Sequence, residues 1–317
     1  MDSVTPQVSI LFDDALKPFL GDLLPYLLSI QKDFSVVHPE DLCTVPDGTT
    51  VYALLTEHVE LLKKHESRLR IVNSVQAQEI ATNKIRTSEI LLGQDIPTPD
   101  TLISDSYEDL VSFVREHGDL AVLKSIDGCG GDNHFILRYS QGALYASIED
   151  RVYPLSFGAT TSFRDVESRR GLEIAPPHYA QAFISLDGEK NNMVYRTYII
   201  GTEIPFGTMR VKDGVERAED SIINIAKGAR YEFMDGIPEE MIEITLRTAD
   251  ALGLEIGAID LVSDGKNYYV LEANCDGYRM LIDRKFKSHP EFKPAFDLDR
   301  YITKRLIEIS QGAHYRV

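Results

Sequence analysis

Cysteine is scarce: the 317 residues contain three, Cys43, Cys129 and Cys275. An odd number so widely spaced makes no disulfide framework and points to a reducing compartment. No Cys-x-x-Cys pair or Cys/His cluster occurs, which argues against structural zinc. Basic residues are also few, 33 against 50 acidic ones, and the net charge of −17 speaks against a protein that grips nucleic acid through its phosphates. No apolar run approaches the ~20 residues of a membrane-spanning helix. Residues 1–6 lack the basic region and apolar core of a secretory signal, so a cytoplasmic location is expected. Two phosphate-binding signatures are missing as well. No Gly-x-Gly-x-x-Gly follows the first strand, and no Gly-x4-Gly-Lys-[Ser/Thr] occurs, so neither a dinucleotide fingerprint nor a P-loop is present.

What is present is ordinary for a soluble globular chain, 43% hydrophobic and 26% charged, with a length that suits two or three lobes. Up to about residue 73, buried strands are expected at Val8–Phe12, Phe34–Val37, Val51–Leu55 and Arg70–Val72. Helical spacing separates them over Asp14–Ile30 and His58–Lys64, an alternation that predicts a small parallel sheet. Asn73 or Ser74 caps a helix expected to run to Leu92, with Lys84 inside it and Gly93 beyond its end. Ile96–Asp100 carries two prolines, each pushing its predecessor out of helical geometry, and marks a boundary. Ser106 to Asp109 resembles a capping box ahead of a helix with Leu110, Phe113 and Val114 on one stripe. Strands follow at Ala121–Lys124, His134–Leu137, Ala143–Ala146, Tyr179–Ile184, Met193–Ile200 and Ile204–Arg210, with a polar loop over 156–172 and a polar turn at Asp187–Asn192. Pro238–Leu252 reads as a helix with proline in its first turn, and Phe296–Gln311 as a final amphipathic one.

Two stretches carry chemistry. Asp260–Asn274 reads as a hairpin turning at Asp264–Lys266. Glu272 and Asn274, two apart, share a strand face, and Asp260 falls nearly opposite Glu272. Three oxygen-bearing side chains at one end of a hairpin are the makings of a site for a hard divalent cation. Any one of them alone would read as the polar end of a surface hairpin. The second stretch starts at Lys124, which closes an apolar strand and needs an anionic partner or a route to water. Gly128, Gly130 and Gly131 follow, allowing a flexible loop whose backbone N–H groups close over phosphates, although a glycine-rich hairpin without a ligand is also common.

In this order the motifs resemble the ATP-grasp superfamily, bacterial glutathione synthetase and the ribosomal-protein glutamate ligases in particular, over about Asn73 to Gly277. The carriers are Asn83-Lys84, the Pro-x-Pro entry at Ile96–Thr101, Leu123–Asp132, the hinge Gln181–Ile184, Met209-Arg210, Asn224–Arg230, Asp260 and Glu272–Asn274. The resemblance implies an α+β fold of three subdomains: an N-terminal parallel-sheet domain over 1–95, a central lobe over 96–180 and a C-terminal lobe with the metal site over 181–317, ATP lying between the last two. It implies an ATP-dependent carboxylate–amine ligase that works through an acyl phosphate. Lys84, Lys124, Gly128, Gly130 and Gly131 would hold phosphates, and Gln181, Phe183 and Ile184 would meet adenine. Asp260, Glu272 and Asn274 would hold one or two magnesium ions, with manganese as a substitute. Arg210, Arg196, Asn224 and Arg230 would serve the transferring phosphoryl group and the acyl phosphate, and Arg279 the substrate carboxylate. Amino acids or short peptides are the implied partners, and a homo-oligomer is left open.

Three departures limit the carry-over. Val194 stands where the family has a ribose-contacting acid, Gly228-Ala229 replaces a Gly-Gly pair before Arg230, and the first ~70 residues match no motif. Glutathione synthesis is therefore not inherited. An ATP-grasp kinase and a catalytically inactive nucleotide-binding module remain as alternatives. The joint presence of Lys84, Lys124, Arg210, Asp260, Glu272 and Asn274 argues against the second.

Overall fold

Short apolar runs separated by helices build the first layer. The computed structural model describes residues 8–11, 34–53, 56–126, 134–148, 151–155, 176–186, 190–223, 228–275 and 298–316. In it β1 (Val8–Leu11), β2 (Phe34–Val37), β3 (Thr50–Ala53) and β4 (Arg70–Val72) form an all-parallel sheet in the order β2-β1-β3-β4. Both faces are covered, as parallel strands require. Leu11, Val37 and Val51 pack with Leu42 and Leu62, the latter on α1 (Val59–Lys63), while Ile10, Phe34, Tyr52 and Val72 face the rest of the protein. The expected helix at Asp14–Ile30 lies outside the described residues.

The single helix expected up to Leu92 is two. Ser74 caps α2 (Val75–Ala81) by accepting from the Ala77 N–H, and Asn83 caps α3 (Lys84–Gly93) by accepting from the Arg86 N–H. Asn83 is extended, with φ −113° and ψ 106°. Its side chain replaces the backbone bonds that a continuous helix would have made, the usual way Asn ends one helix and starts another. Lys84 consequently opens α3 rather than lying mid-helix, and Gly93 falls inside its last turn.

The next sheet has six strands, ordered β5-β10-β6-β7-β8-β9. They are β5 (Thr101–Ser104), β6 (Leu120–Lys124), β7 (His134–Ser140), β8 (Ala143–Ile148), β9 (Arg151–Pro154) and β10 (His178–Ala182). Its helix α4 (Tyr107–Glu116) lays Leu110, Phe113 and Val114 on Leu123, Phe135, Leu137 and Ala180. Ser106 caps α4 through the Asp109 N–H, but the Asp109 carboxylate accepts from the Ser104 hydroxyl. Strand β10 inserts between β5 and β6, pairing antiparallel with both. The 156–172 loop and residues 187–189 of the 187–192 turn lie outside the described residues.

The third sheet is antiparallel, ordered β13-β12-β11-β14-β15. It comprises β11 (Met193–Ile200), β12 (Gly207–Val211), β13 (Arg230–Phe233), β14 (Ile256–Ser263) and β15 (Tyr268–Asn274). Neither β13 nor β9 is expected from the sequence. The helix α5 (Glu239–Leu252), closed by Gly253 in the left-handed conformation, buries Met241, Ile244 and Leu252 against Ile199, Ile259 and Leu261 on one face. On the opposite face Tyr198, Ile200, Ile256 and Ala258 meet the first sheet and α6 (Leu298–Ser310). Buried Asn73 stitches the two sheets together. Its amide donates to the carbonyls of Ile256 (2.7 Å) and Cys275 (3.1 Å), and its carbonyl accepts from the N–H groups of Glu255 and Ile256. Among the described residues no helix is long and apolar enough to cross a membrane.

Candidate active site

The turn at Asp264–Asn267 sets the register of the hairpin. The Asp264 carboxylate accepts from the Lys266 and Asn267 N–H groups, which holds it down at about 2, and Gly265 takes φ 87°. That register pairs Asp260 directly with Glu272, and β11 pairs Arg196 directly with Asp260. Directly paired residues share a sheet face. Thr208, Arg196, Asp260 and Glu272 therefore form one row across four strands, with Arg210 diagonal to Arg196. A register shift between Asp260 and Leu261 marks a bulge opposite Leu271. Two residues of β15 then oppose one of β14, which brings Leu271 alongside Glu272, a device that re-aims side chains next to sites.

The row is ionic and buried. Arg196 and Asp260 are each 3% exposed. Arg196 grips the carboxylate with two bonds, Nε to Oδ1 at 2.5 Å and Nη2 to Oδ2 at 2.7 Å, and Arg210 adds Nη2 to Oδ2 at 2.5 Å. Burial alone pushes the Asp260 carboxyl up, but the two guanidinium groups outweigh it and hold it below the usual carboxylate range. Arg210 keeps its buried Nε without a hydrogen-bond partner among the described residues, and so does the Asn274 Nδ2. Buried donors of this kind call for an additional acceptor.

A second cluster faces this row across the edge strand β15. Lys124 ends β6 at 6% exposure, and its Nζ donates to the Gln181 Oε1 at 2.5 Å. Lys84, 8% exposed, opens α3, and its backbone N–H reaches the Ile126 carbonyl just past β6 at 3.5 Å. Burial pulls the Lys124 ammonium down, Glu272 and Asp260 raise it, Lys84 lowers it further, and the balance lies at about 8. Lys84, Ser88, Thr98, Tyr179, Gln181, Leu271 and Glu272 line one open pocket where the clusters meet.

The structure thus brings together Lys84, Lys124, Gln181, Arg196, Arg210, Asp260 and Glu272, with Asn274 two residues along the strand. The other described residues expected at the site have surroundings of their own. Phe183 packs with Leu120, Ile136, Ala218 and Ile222, and Ile184 is half-buried beside it in sequence. The Gln181 amide is committed to Lys124 and to Thr101, whose Oγ1 lies 3.3 Å from Nε2. Arg230 is exposed on the edge strand β13, paired with Asp213 and Glu232, and its register with Val211 places it on the face opposite Arg210. Gly128, Gly130, Gly131, Asn224 and Arg279 lie outside the described residues.

Sequence reasoning missed Ser88, Tyr179, Thr101 and Leu271. Helical spacing from Lys84 could have found Ser88, and strand alternation from Gln181 could have found Tyr179; nothing local announces the bulge at Leu271. The residues expected to hold a cation have the chemistry a hard cation would need. Asp260, Glu272 and Asn274 all offer oxygen on one face, and with no grouping of three His, Cys, Asp or Glu among the described residues, a cation here would rely on the Asn274 amide oxygen as well.

Two α+β lobes meeting over paired lysines and an acid-bearing hairpin define an ATP-grasp fold. The ATP-grasp ligase PsnB, solved with a precursor variant, magnesium and ADP, shares it at 16% identity and a TM-score of 0.59, over 96% of this chain and 99% of that one. Residues 81–289 match the RimK-like ATP-grasp domain, and the chain belongs to this family, among the ATP-dependent carboxylate–amine ligases. It is similar to the alpha-aminoadipate–LysW ligase LysX of Saccharolobus solfataricus, 28% identical over 77% of this chain and 78% of the relative. The tetrahydromethanopterin:alpha-L-glutamate ligase of Methanocaldococcus jannaschii is 26% identical over 68% of this chain and 65% of the relative.

Proposed function

We propose that this enzyme uses ATP to join the carboxylate of one small molecule or peptide to the amine of an amino acid. The observation that carries the reading is the gathering of opposite charges: Lys84 and Glu272 line one pocket, and buried Lys124 lies within electrostatic reach of both and of Asp260, the carboxylate that Arg196 and Arg210 hold. Magnesium, as one or two ions near Asp260, Glu272 and Asn274, supplies charge neutralisation to the phosphates when bound. Lys84 and Lys124 hold the phosphates of ATP, each by charge-assisted bonds worth roughly 1.5–3 kcal/mol. A carboxylate oxygen of the acid substrate attacks the γ-phosphorus, and the bond to ADP breaks with its electron pair leaving on the β-phosphate oxygen. Arg210, with its unpartnered Nε, stabilises the charge that spreads over the transferring group. The amine nitrogen then attacks the acyl carbon, loses its proton, and phosphate departs. Arg196 acts through Asp260, keeping that carboxylate charged and fixed.

Three lobes, 1–95, 96–180 and 181–317, form part of this reading, as does a location in the cytoplasm. The acceptor is proposed as an α-amino acid because both similar proteins are named for ligating one, and the other partner is proposed as a small molecule or short peptide. The test is ADP release across amino acids and dipeptides, singly and in pairs, with hydroxylamine added to trap the acyl phosphate as a hydroxamate. ADP release that needs both an acid and an amine is expected. Steady AMP formation, or no nucleotide turnover across the panel, would refute it, and a stable phosphorylated product without an amide would select a kinase.

The Lys124 ammonium gives a pH signature. Its value of about 8 in the free protein means that nucleotide binding takes up a proton above that pH. Phosphate groups titrate near ~6, so the ligand itself is fully charged in this window. The dissociation constant for ADP should be flat from pH 7 to 8 and then rise by up to about tenfold per pH unit. Lys124→Arg, always charged, should flatten the rise. Calorimetric titration between pH 7 and 9.5 checks both, and a flat profile in the unaltered protein contradicts the assignment.

A further inference from the structure

Buried Lys84 and Lys124 stand close enough to repel one another, and Lys84 lowers the Lys124 ammonium. Glu272 and Asp260 offset part of that repulsion, and a neutral contact links the two elements that carry the lysines. Tyr179 pairs directly with Lys124 across β10 and β6, so the two side chains stand on one face of the central sheet. Its ring is 2% exposed, and its hydroxyl meets the Ser88 hydroxyl at 2.6 Å. Ser88 lies one helical turn beyond Lys84 on α3, the spacing that places two side chains on the same helix face. The path Lys124–Tyr179–Ser88–Lys84 therefore bridges the sheet of one lobe and the helix of the other. Burial raises the Tyr179 phenol to about 12, so the strut stays neutral and cannot compete as an anion for either lysine. Two residues on, Gln181 holds the Lys124 ammonium from the same strand.

We propose that the Ser88–Tyr179 hydrogen bond is a positioning strut that sets the separation of Lys84 and Lys124 and so selects for a polyphosphate in this pocket. The inference rests on the ATP-dependent reading above, because it assigns the lysines to phosphates. Neither residue touches the reacting atoms; both act through the lysines. Removing the strut loosens the lysine pair, which a polyphosphate must then re-order, whereas a ligand without phosphates does not use it.

The experiment compares ADP and adenosine as probes, by calorimetry for the first and ligand-observed NMR for the second. Tyr179→Phe and Ser88→Ala should each weaken ADP binding by about 3- to 10-fold, the range of one net hydrogen bond, and change adenosine binding by less than about twofold. The double variant should lose little more than either single one, since one bond is broken in all three. Ser88→Thr keeps the hydroxyl and should restore the affinity for ADP. Equal weakening toward ADP and adenosine would show general disruption and overturn the proposal. Unchanged ADP binding in folded Ser88→Ala would overturn it as well. Failure of the unaltered protein to bind ADP at all would instead remove the ATP-dependent reading on which the proposal stands.

Discussion

Asp260→Asn is expected to destabilise the third sheet severely, not only to stop turnover. The carboxylate is the shared anion of two guanidinium groups, and Arg196, 3% exposed, has its charge balanced there by a two-bond grip. Taking one partner from a buried ion pair leaves an uncompensated charge and costs roughly 3–5 kcal/mol. Against a whole-domain stability of roughly 5–15 kcal/mol, that is a large share. Denaturant unfolding should show the midpoint falling with little change in slope. The acid limb provides an independent check. Because the folded carboxyl is held below its ordinary range, its contribution to stability is full above that range and is lost as pH falls through the folded value. Asp260→Asn removes this part of the acid dependence. Replacing Asp260 with Leu and Arg196 with Met together should recover much of the stability and none of the ADP release. Stability of Asp260→Asn within about 1 kcal/mol of the original would show that Arg196 has another counter-charge.

Much of this arrangement was legible in the residues because it follows from local rules. The hairpin register needed only a Gly-centred turn and the two-residue repeat of a strand, and Asp260 indeed pairs with Glu272. The parallel N-terminal sheet followed from alternating apolar runs and helices. What stayed hidden depends on competition or on distance. Asn83 could continue one helix or cap another, and only its actual backbone decides. Strand β10 comes late in the chain yet sits between β5 and β6, and no pattern within Tyr179–Ile184 reports its neighbours. For the same reason the Ser88–Tyr179 contact, 91 residues apart, was invisible, although each half lay on a face the sequence had already marked through Lys84 and Gln181. From the sequence alone the arginines are groups waiting for phosphate. The folded chain gives them a prior task, since Arg196 and Arg210 both bind Asp260. Arg230 was read with them, but strand alternation turns it to the other face.

Glu272→Gln should separate chemistry from stability where Asp260→Asn cannot. Glu272 is half-buried, lines the pocket with Lys84 and lies within electrostatic reach of Lys124. The amide keeps its shape, and a partly solvated position away from the Arg196–Asp260 grip predicts a stability change within about 0.5–1 kcal/mol. Its charge carries more weight than its exposure suggests. Both Asp260 oxygens are taken by arginines, so of the two carboxylates in the proposed donor set Glu272 has the more charge to offer a cation. Removing a preorganised electrostatic group of this kind costs about 10²–10³ in turnover, and loss of a metal donor as well puts the expected fall at the upper end or beyond. A second readout needs no turnover. Glu272 is the largest influence raising the Lys124 ammonium, so its neutralisation lowers that group further below about 8. The pH above which ADP affinity begins to fall should therefore move down in Glu272→Gln, while the Lys124→Arg profile stays flat with or without the second change. A downward shift with turnover intact would keep Glu272 as a neighbour of Lys124 and dismiss it from the metal site. Loss of turnover with no shift would instead put the residue near the cation and out of electrostatic reach of the lysines.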